Sequence, residues 1–188
     1  MKRMLWDINE YDENGKLIVL CRMQRMIDDG LVSSGDDVLS VGGWGKIEHR
    51  LVQEGCNVTL INLDKDECNR VTERYSKDIN VVWGDIRRSG IASESFDVVE
   101  CSETLEHILE DRDTAIDEMF RVLRHGGRFV GTIPIPGRCH PVDDPTVKFI
   151  LPDEMKSILS QYATDINIVP SGEFSDEPSS WYFSARKV

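Results

Sequence analysis

The chain has 188 residues, of which 40% are hydrophobic, so it is long enough for one sizeable core but short for two ordinary domains. It carries 34 acidic and 22 basic residues, and the net charge of −12 argues against nucleic acid and anionic membranes as partners. Five cysteines without C-x-x-C spacing, and an amino-terminal stretch without the apolar run of a signal peptide, predict a reduced cytoplasmic protein.

The first half of the chain has the pattern of strands alternating with helices. Leu20, Met23 and Ile27 recur at helical spacing and predict a helix over residues 16–29. From Asp37 onward, short apolar runs alternate with amphipathic segments, which is typical of a parallel sheet built from βαβ units. The predicted strands are residues 38–41, 58–61, 79–82 and 96–101.

The second half is predicted to complete the sheet with one more parallel strand and two strands joined without a helix. Ile116, Met119, Phe120 and Leu123 predict a helix that Gly126-Gly127 stops. The remaining predicted elements are a strand over 128–133, an irregular loop over 134–146, a helix over Asp153–Tyr162, and strands over 166–169 and 181–187. Because no helical pattern separates the last two strands, they should be antiparallel.

These elements predict an α/β fold: one doubly wound, mostly parallel sheet of seven strands with an antiparallel C-terminal strand and helices on both faces. We expect a single domain over residues 1–188. Within it, residues 1–35 form a helical cap, residues 36–136 a ligand-binding half, and residues 137–188 a substrate-side loop, helix and hairpin.

A glycine-rich turn follows the first predicted strand. Gly42, Gly43 and Gly45 allow backbone to approach a ligand closely, and the next helix offers unpaired N–H groups there. By itself this turn also suits a dinucleotide, or glycines that only reverse the chain.

The order of further motifs narrows the choice. Asn62-Leu63-Asp64 closes the second strand, Gly84-Asp85-Ile86 closes the third, and Ser95–Val99 opens the fourth. Later matches are Glu103-Thr104-Leu105-Glu106-His107-Ile108, Arg121–Phe129 and Trp181-Tyr182-Phe183. Over residues 37 to about 135 this series resembles the class I S-adenosylmethionine-dependent methyltransferases, whose fold is Rossmann-like. The likeness is greatest to the small-molecule group with the ubiquinone and menaquinone enzymes.

The resemblance implies a cofactor site for S-adenosylmethionine, with S-adenosylhomocysteine as product. Ser40, Gly42, Gly43, Trp44 and Gly45 would line its methionyl and ribose part, and a bulky residue at Gly43 would fill the methionyl space. The ribose role divides between Asn62 and Asp64, with Leu63 between them; if the strand continues, Asp64 points the same way and is the expected ribose ligand. The other implied contacts are Asp85 and Ile86 to adenine, and Cys101 and Ser102 to the methionine moiety.

The sequence departs from that family at two acidic positions. Ser40 stands where the family usually has an acid, and Asn62 replaces the acid at the end of the second strand. The glycine turn is also shorter. A charged hydrogen bond to the cofactor is worth about 1.5–3 kcal/mol, so each substitution weakens binding by that amount unless another group replaces the acid.

The implied reaction is in-line methyl transfer to an oxygen or nitrogen of a small molecule, which alignment alone can largely catalyse. His107, after the fourth strand, and His140, in the loop after the fifth, are the candidate general bases. A backbone-bonded helix-start histidine and a solvated loop histidine are the alternatives. Cys139, His140, Asp143 and Asp144 lack the spacing of a structural zinc site, so no metal is predicted.

Two other functions stay open at this point. A non-catalytic S-adenosylmethionine- or nucleoside-binding module would explain Ser40, Asn62 and the short turn. A nicotinamide-dependent oxidoreductase would share the glycines after the first strand, although the antiparallel last strand fits it less well. The expected partner is a neutral or cationic small molecule, without nucleic acid or membrane, and a homodimer is left open.

Overall fold

The computed structural model describes residues 21–75, 78–171 and 178–188, which contain seven strands and five α-helices. The strands are β1 (Asp37–Val41), β2 (Asn57–Asn62), β3 (Ile79–Trp83), β4 (Phe96–Ser102), β5 (Leu123–Pro134), β6 (Ala163–Ser171) and β7 (Ser180–Lys187). The helices are α1 (Cys21–Asp28), α2 (Lys46–Gln53), α3 (Lys65–Tyr75), α4 (Arg112–Val122) and α5 (Pro152–Leu159).

All seven strands form one sheet in the order β3-β2-β1-β4-β5-β7-β6. The pairings among β1 to β5 are parallel, whereas β7 runs antiparallel to both β5 and β6. The predicted fold class, a mostly parallel seven-stranded sheet with an antiparallel C-terminal strand, is therefore confirmed.

Apolar side chains cover both faces of the sheet, because successive residues of a strand point to opposite sides. In β1, Val38 joins the core cluster beneath α2 and α3, and Leu39 joins the cluster beneath α4. Both are fully buried, and burial of one such side chain stabilises the fold by about 1.5–3 kcal/mol. This two-sided burial explains why the strands appear in the sequence as nearly continuous apolar runs.

The junction between α4 and β5 differs from the prediction. The helix ends at Val122, and Leu123 is already extended and pairs with Phe96 of β4. Gly126 and Gly127 lie inside β5, where the register shifts before Arg128 pairs with Val98. The glycines therefore accommodate an irregularity in the strand and do not stop the helix.

Other boundaries also shift. The helix expected over Asp153–Tyr162 begins at Pro152 and ends at Leu159, because Pro152 is favourable in a first helical turn. The strand expected over residues 166–169 extends over Ala163–Ser171. Of the helix predicted over residues 16–29, the part before Cys21 lies outside the described residues. None of the described helices has the length and apolar character needed to cross a membrane.

Parallel pairing brings four strand ends to one edge of the sheet. In order across the sheet, β3, β2, β1 and β4 end at Trp83, Asn62, Val41 and Ser102. The cofactor contacts that the resemblance implies lie in the last residues of these strands and in the loops after them, and ligands of open α/β sheets bind at such an edge. We call it the carboxyl edge.

Candidate functional site

The turn after β1 is held in place by backbone bonds and by two glycines with positive φ. The Gly42 N–H donates to Ile61 O of β2 over 2.9 Å, and Gly42 and Gly45 have φ of 76° and 94°. A Cβ on Gly42 would lie 2.5 Å from Thr104 Oγ1 in the loop after β4. The turn therefore requires glycine both for its conformation and for its approach to Thr104.

Beneath this turn lies a cluster of three fully buried polar side chains, Ser40, Glu48 and Glu100. Ser40 Oγ lies 2.5 Å from Glu48 Oε1 and 2.9 Å from Glu100 Oε2. Glu48 Oε2 accepts the Gly45 N–H over 2.7 Å, as in one half of a capping box. Burial raises the pKa of the Glu48 carboxyl above its ordinary value. Ser40 therefore contacts other protein groups, and its hydroxyl is closed off from the carboxyl edge.

This cluster occupies the space on the Cβ side of Gly43. A Cβ on Gly43 would overlap Glu48 Oε1 and lie 2.7 Å from Ser40 Oγ. A larger residue at this position would thus collide with the buried cluster, and the space that it fills is not an open methionyl pocket.

At the end of β2, Asn62 and Asp64 have different roles. Asn62 Nδ2 donates to Gly43 O over 3.0 Å, and its Oδ1 accepts the Asp64 N–H over 2.8 Å. The strand ends at Asn62, so the alternation that would point Asp64 the same way does not apply. Instead, Asp64 Oδ1 accepts the N–H groups of Asp66 and Glu67 and caps α3.

At the end of β3, Asp85 is bound to a neighbouring arginine. Arg87 donates through Nε and Nη2 to both carboxylate oxygens of Asp85, at 2.7–3.1 Å, and its backbone N–H donates to Oδ1. These side-chain hydrogen bonds hold the pKa of the Asp85 carboxyl below its ordinary value. The following residue, Ile86, is buried. Adenine at this position would share Asp85 with Arg87.

Large apolar side chains are exposed along the same edge. Trp44 in the glycine turn, Leu63 after β2 and Trp83 at the end of β3 are 62%, 64% and 59% exposed. Trp83 Nε1 donates to Leu63 O over 3.1 Å, and the Lys65 ammonium lies 4.6 Å from the Trp83 ring centroid. These side chains give the carboxyl edge apolar surface for a flat ring.

At the end of β4 the two implied contacts differ in accessibility. The Cys101 side chain is fully buried in the core, and burial raises the pKa of its thiol well above the ordinary value. Any contact from Cys101 to a ligand must therefore come from its backbone. Ser102 is half-buried and lies next to Thr104, whose Oγ1 bonds to Ser102 O and Val41 O.

The structure brings the two candidate histidines together. The rings of His107 and His140 meet edge to face, with their centroids 5.3 Å apart. His107 Nδ1 lies 3.3 Å from Thr146 O, and His140 Nδ1 lies 3.6 Å from a carboxylate oxygen of Asp144. Both histidines are at least partly accessible to solvent, so a proton acceptor is available next to the carboxyl edge.

Within the described part of the chain, one group of side chains could hold a metal ion. Glu106, His107 and His140 each offer one ligand atom, and these atoms lie within 4.8 Å of one another. This grouping differs from the set considered in the sequence, because it joins the loop after β4 to His140 and leaves out Cys139, Asp143 and Asp144. The expectation that the chain uses no metal stays a prediction.

Sequence reasoning missed Glu48, Glu100, Thr104 and Arg87. Glu48 stands three residues after Gly45, the spacing of a capping box, and that signal was available. Glu100 and Thr104 gave no local signal, because they meet the turn only after β4 pairs with β1.

The fold and the carboxyl edge define a class of protein. The family model described as a methyltransferase domain matches residues 39–131, and the resemblance to class I S-adenosylmethionine-dependent methyltransferases is confirmed. The match begins in β1 and ends in β5, and it includes the glycine turn and all four strand ends.

Individual relatives agree with this class. A ubiquinone biosynthesis O-methyltransferase of Pseudomonas fluorescens (strain Pf0-1) is 33% identical over 113 residues, which are 57% of this chain and 48% of that protein. The chain thus spans about half the length of the curated relatives it matches.

Two solved structures share the fold. An S-adenosylmethionine-dependent methyltransferase from Aquifex aeolicus superposes with a TM-score of 0.70 at 17% identity, and 90% of each chain is covered. The N-methyltransferase NodS from Bradyrhizobium japonicum WM9, solved with S-adenosylhomocysteine, gives a TM-score of 0.68 at 21% identity and covers 88% of this chain and 87% of NodS.

Proposed function

We propose that the protein is an S-adenosylmethionine-dependent methyltransferase that acts on an oxygen or nitrogen of a small molecule. The observation that carries this proposal is the convergence, at one edge of a methyltransferase-type sheet, of the glycine turn, Asn62, Asp85 and Ser102. These groups lie at or just after the ends of β1, β2, β3 and β4. The resemblance implies that they contact, in that order, the methionyl part, the ribose, the adenine and again the methionine moiety of the cofactor.

The chain's own groups fit the cofactor. Because Gly42 and Gly45 lack Cβ atoms, the turn packs directly against Thr104 and Tyr75, and its backbone is held at the carboxyl edge. The apolar surface of Leu63 and Trp83 adjoins Asp85 and suits a purine. Asn62 and Asp85 are the polar contacts, and both are already bonded within the protein, so binding must share or replace those bonds.

The bound cofactor would supply an activated methyl group that leaves as the acceptor atom attacks in line. The protein's contribution is alignment of that acceptor, together with removal of its proton. We assign proton removal to His107 and His140, because they adjoin the end of β4 and Asp144 lies beside His140.

Residues 137–188, within a single domain, are the proposed acceptor side. The loop after β5 carries His140 and is joined to the segment after β4: the Lys148 N–H donates to Glu106 O over 2.8 Å, and Arg112 Nη2 donates to Lys148 O over 2.7 Å. The net charge of −12 favours a neutral or cationic acceptor over nucleic acid. A cytoplasmic location fits the free, buried thiols of Cys56, Cys68 and Cys101.

The second candidate is a non-catalytic module that binds the cofactor or a nucleoside. It is favoured by one observation, that the side chains expected to receive ribose and adenine are bonded to Gly43 and Arg87. Both candidates bind a ligand at the carboxyl edge, but only the first transfers a methyl group.

Calorimetry with S-adenosylhomocysteine tests binding, and we expect the ligand to raise the melting temperature as well. The absence of heat and of any melting shift at millimolar ligand would contradict the methyltransferase and a module that binds the cofactor. Incubation of the protein with isotopically labelled S-adenosylmethionine and a metabolite extract, followed by mass spectrometry, then identifies the methylated acceptor. Binding without any labelled product would favour the non-catalytic module.

A further inference from the structure

The Ser40–Glu48–Glu100 cluster lies where the family's missing acid would stand. Ser40 occupies the position of that acid at the end of β1, and Glu48 reaches back from α2 to place its carboxyl beneath the same turn. Glu48 holds the Gly45 N–H with one oxygen and contacts Ser40 with the other. In this chain the carboxyl beneath the turn therefore comes from the helix after the turn, whereas in the family it comes from the strand before it.

The number of protons in this cluster follows from its contacts. The Ser40 hydroxyl has one hydrogen and can donate to only one of the two carboxyls that it contacts. The other carboxyl must then donate to Ser40, so it carries a proton. Glu48 and Glu100 are almost completely removed from solvent, where two adjacent negative charges would be strongly unfavourable.

We propose that Glu48 is a positioning residue for the methionyl end of the cofactor, that it replaces the acid absent at position 40, and that the Ser40–Glu48–Glu100 cluster holds one shared proton. This inference rests on the proposed function for its ligand, but the cluster itself is a property of the protein without ligand. Glu48 acts through the turn, because its side chain is fully buried and fixes the positions of Gly43 and Gly45.

The charged groups around Glu48 leave the proton in the cluster. Glu67 of α3 faces Glu48 as a like charge and is partly offset by its ion pair with Arg70, whereas Glu100 of β4 approaches Glu48 through Ser40. The remaining polar contacts are Ser40 of β1 and the Gly45 N–H.

The first experiment compares Glu48→Ala with Glu48→Gln. The glutamine amide can still accept from Gly45 and donate to Ser40, so S-adenosylhomocysteine should bind within about threefold of the wild type. Alanine removes both contacts, and affinity should fall about tenfold or more. Glu73→Gln, which changes an exposed carboxylate on α3, is the control and should change neither affinity nor melting temperature. Wild-type affinity in Glu48→Ala would overturn the positioning role.

The second experiment moves the carboxyl back to the strand. Ser40→Asp alone places a third carboxyl in the buried cluster and should lower the melting temperature. Ser40→Asp combined with Glu48→Ala should recover both melting temperature and affinity relative to Glu48→Ala. A double variant no better than Glu48→Ala in either measurement would show that the two positions are not interchangeable.

The third experiment tests the shared proton without ligand. Burial raises the pKa of the Glu48 carboxyl above 4.5 in the folded chain. The free energy of unfolding of the wild type should therefore decrease as the pH rises from 4.5 through this raised pKa, because the buried carboxyl then loses its proton. In Glu48→Gln the side-chain amide does not titrate, so it has an N–H to donate to Ser40 at every pH. Its melting temperature relative to wild type should therefore rise as the pH increases above 4.5, the ordinary pKa of a glutamate carboxyl. A difference independent of pH would overturn the shared proton. If the wild type fails to bind S-adenosylhomocysteine, the proposed function and the positioning role fail together, whereas the melting temperatures still decide whether the cluster holds a shared proton.

Discussion

The two sides of the candidate site are built differently. On the cofactor side, Ser40, Glu48 and Glu100 are buried and bonded to one another, and Asn62 is bonded to the glycine turn. On the acceptor side, the rings of His107 and His140 are partly accessible and meet edge to face. Their other contacts are looser, at 3.3 Å from His107 to Thr146 O and 3.6 Å from His140 to Asp144. Changes on the first side should therefore alter folding and binding together, whereas changes on the second should alter chemistry alone.

The largest effect is expected at Gly43, where this coupling is strongest. Gly43→Val places a side chain on the Glu48 carboxyl and breaks its bond to Gly45, so the free energy of unfolding should fall by about 3 kcal/mol, with loss of S-adenosylhomocysteine binding. Urea denaturation measures the first and calorimetry the second. Gly84→Ala is the control, because its Cβ would meet nothing closer than 3.5 Å. Abolished binding with unchanged stability would mean that Gly43 faces ligand space after all.

The next largest effect is expected at the histidine pair, where substitutions should change the reaction rate without changing the stability of the fold. His107→Gln and His140→Gln should each lower the methyl-transfer rate about a hundredfold, while the melting temperature stays at the wild-type value. The double variant should be no slower than the slower single variant if the pair acts as a unit. His125→Gln, at the opposite edge, is the control.

Three outcomes of this measurement are distinguishable. Slower transfer at an unchanged melting temperature supports the general-base role. Unchanged rates in all variants would show that the acceptor needs no base from this pair. A wild-type rate that disappears with a chelator and returns with a divalent cation would assign His107 and His140, with Glu106, to a metal ion.

A smaller effect is expected at Asp64. Variants at this position distinguish its role as a helix cap from the ribose contact expected from the sequence. Asp64→Ala should lower the free energy of unfolding by about 1 kcal/mol, because the first turn of α3 loses its cap. Asp64→Asn keeps an acceptor oxygen and should be nearly as stable as the wild type. In both variants the affinity for S-adenosylhomocysteine should stay within about threefold. A tenfold loss in Asp64→Asn would restore the charged ribose contact predicted from the sequence.

How much of this could be predicted depends on the range of the contacts. The strands, the parallel edge and the glycine turn follow from local periodicity and from the order of motifs, because two-sided burial leaves a clear apolar pattern in segments such as Val38–Val41. The ribose role expected for Asp64 required β2 to continue for two more residues, whereas β2 ends at Asn62 and Asp64 caps α3. Glu100 and the His107–His140 contact join segments far apart in the chain, so no local pattern reports them.

The smallest effect is expected at Arg87. It tests whether the bond from Arg87 to Asp85 limits cofactor binding at the end of β3. Arg87 binds both oxygens of Asp85, yet both side chains are 30% exposed, and such exposed ion pairs contribute little stability. Arg87→Met should therefore lower the free energy of unfolding by less than about 1 kcal/mol. It also frees the carboxylate for the adenine amino group, and affinity for S-adenosylhomocysteine should rise about threefold. Arg88→Met, an exposed neighbour with the same change of charge, is the control, and Trp83 fluorescence or calorimetry gives the affinity. If Arg87→Met instead weakens binding while Arg88→Met does not, Arg87 contacts the ligand itself, and the pair with Asp85 is part of the binding site.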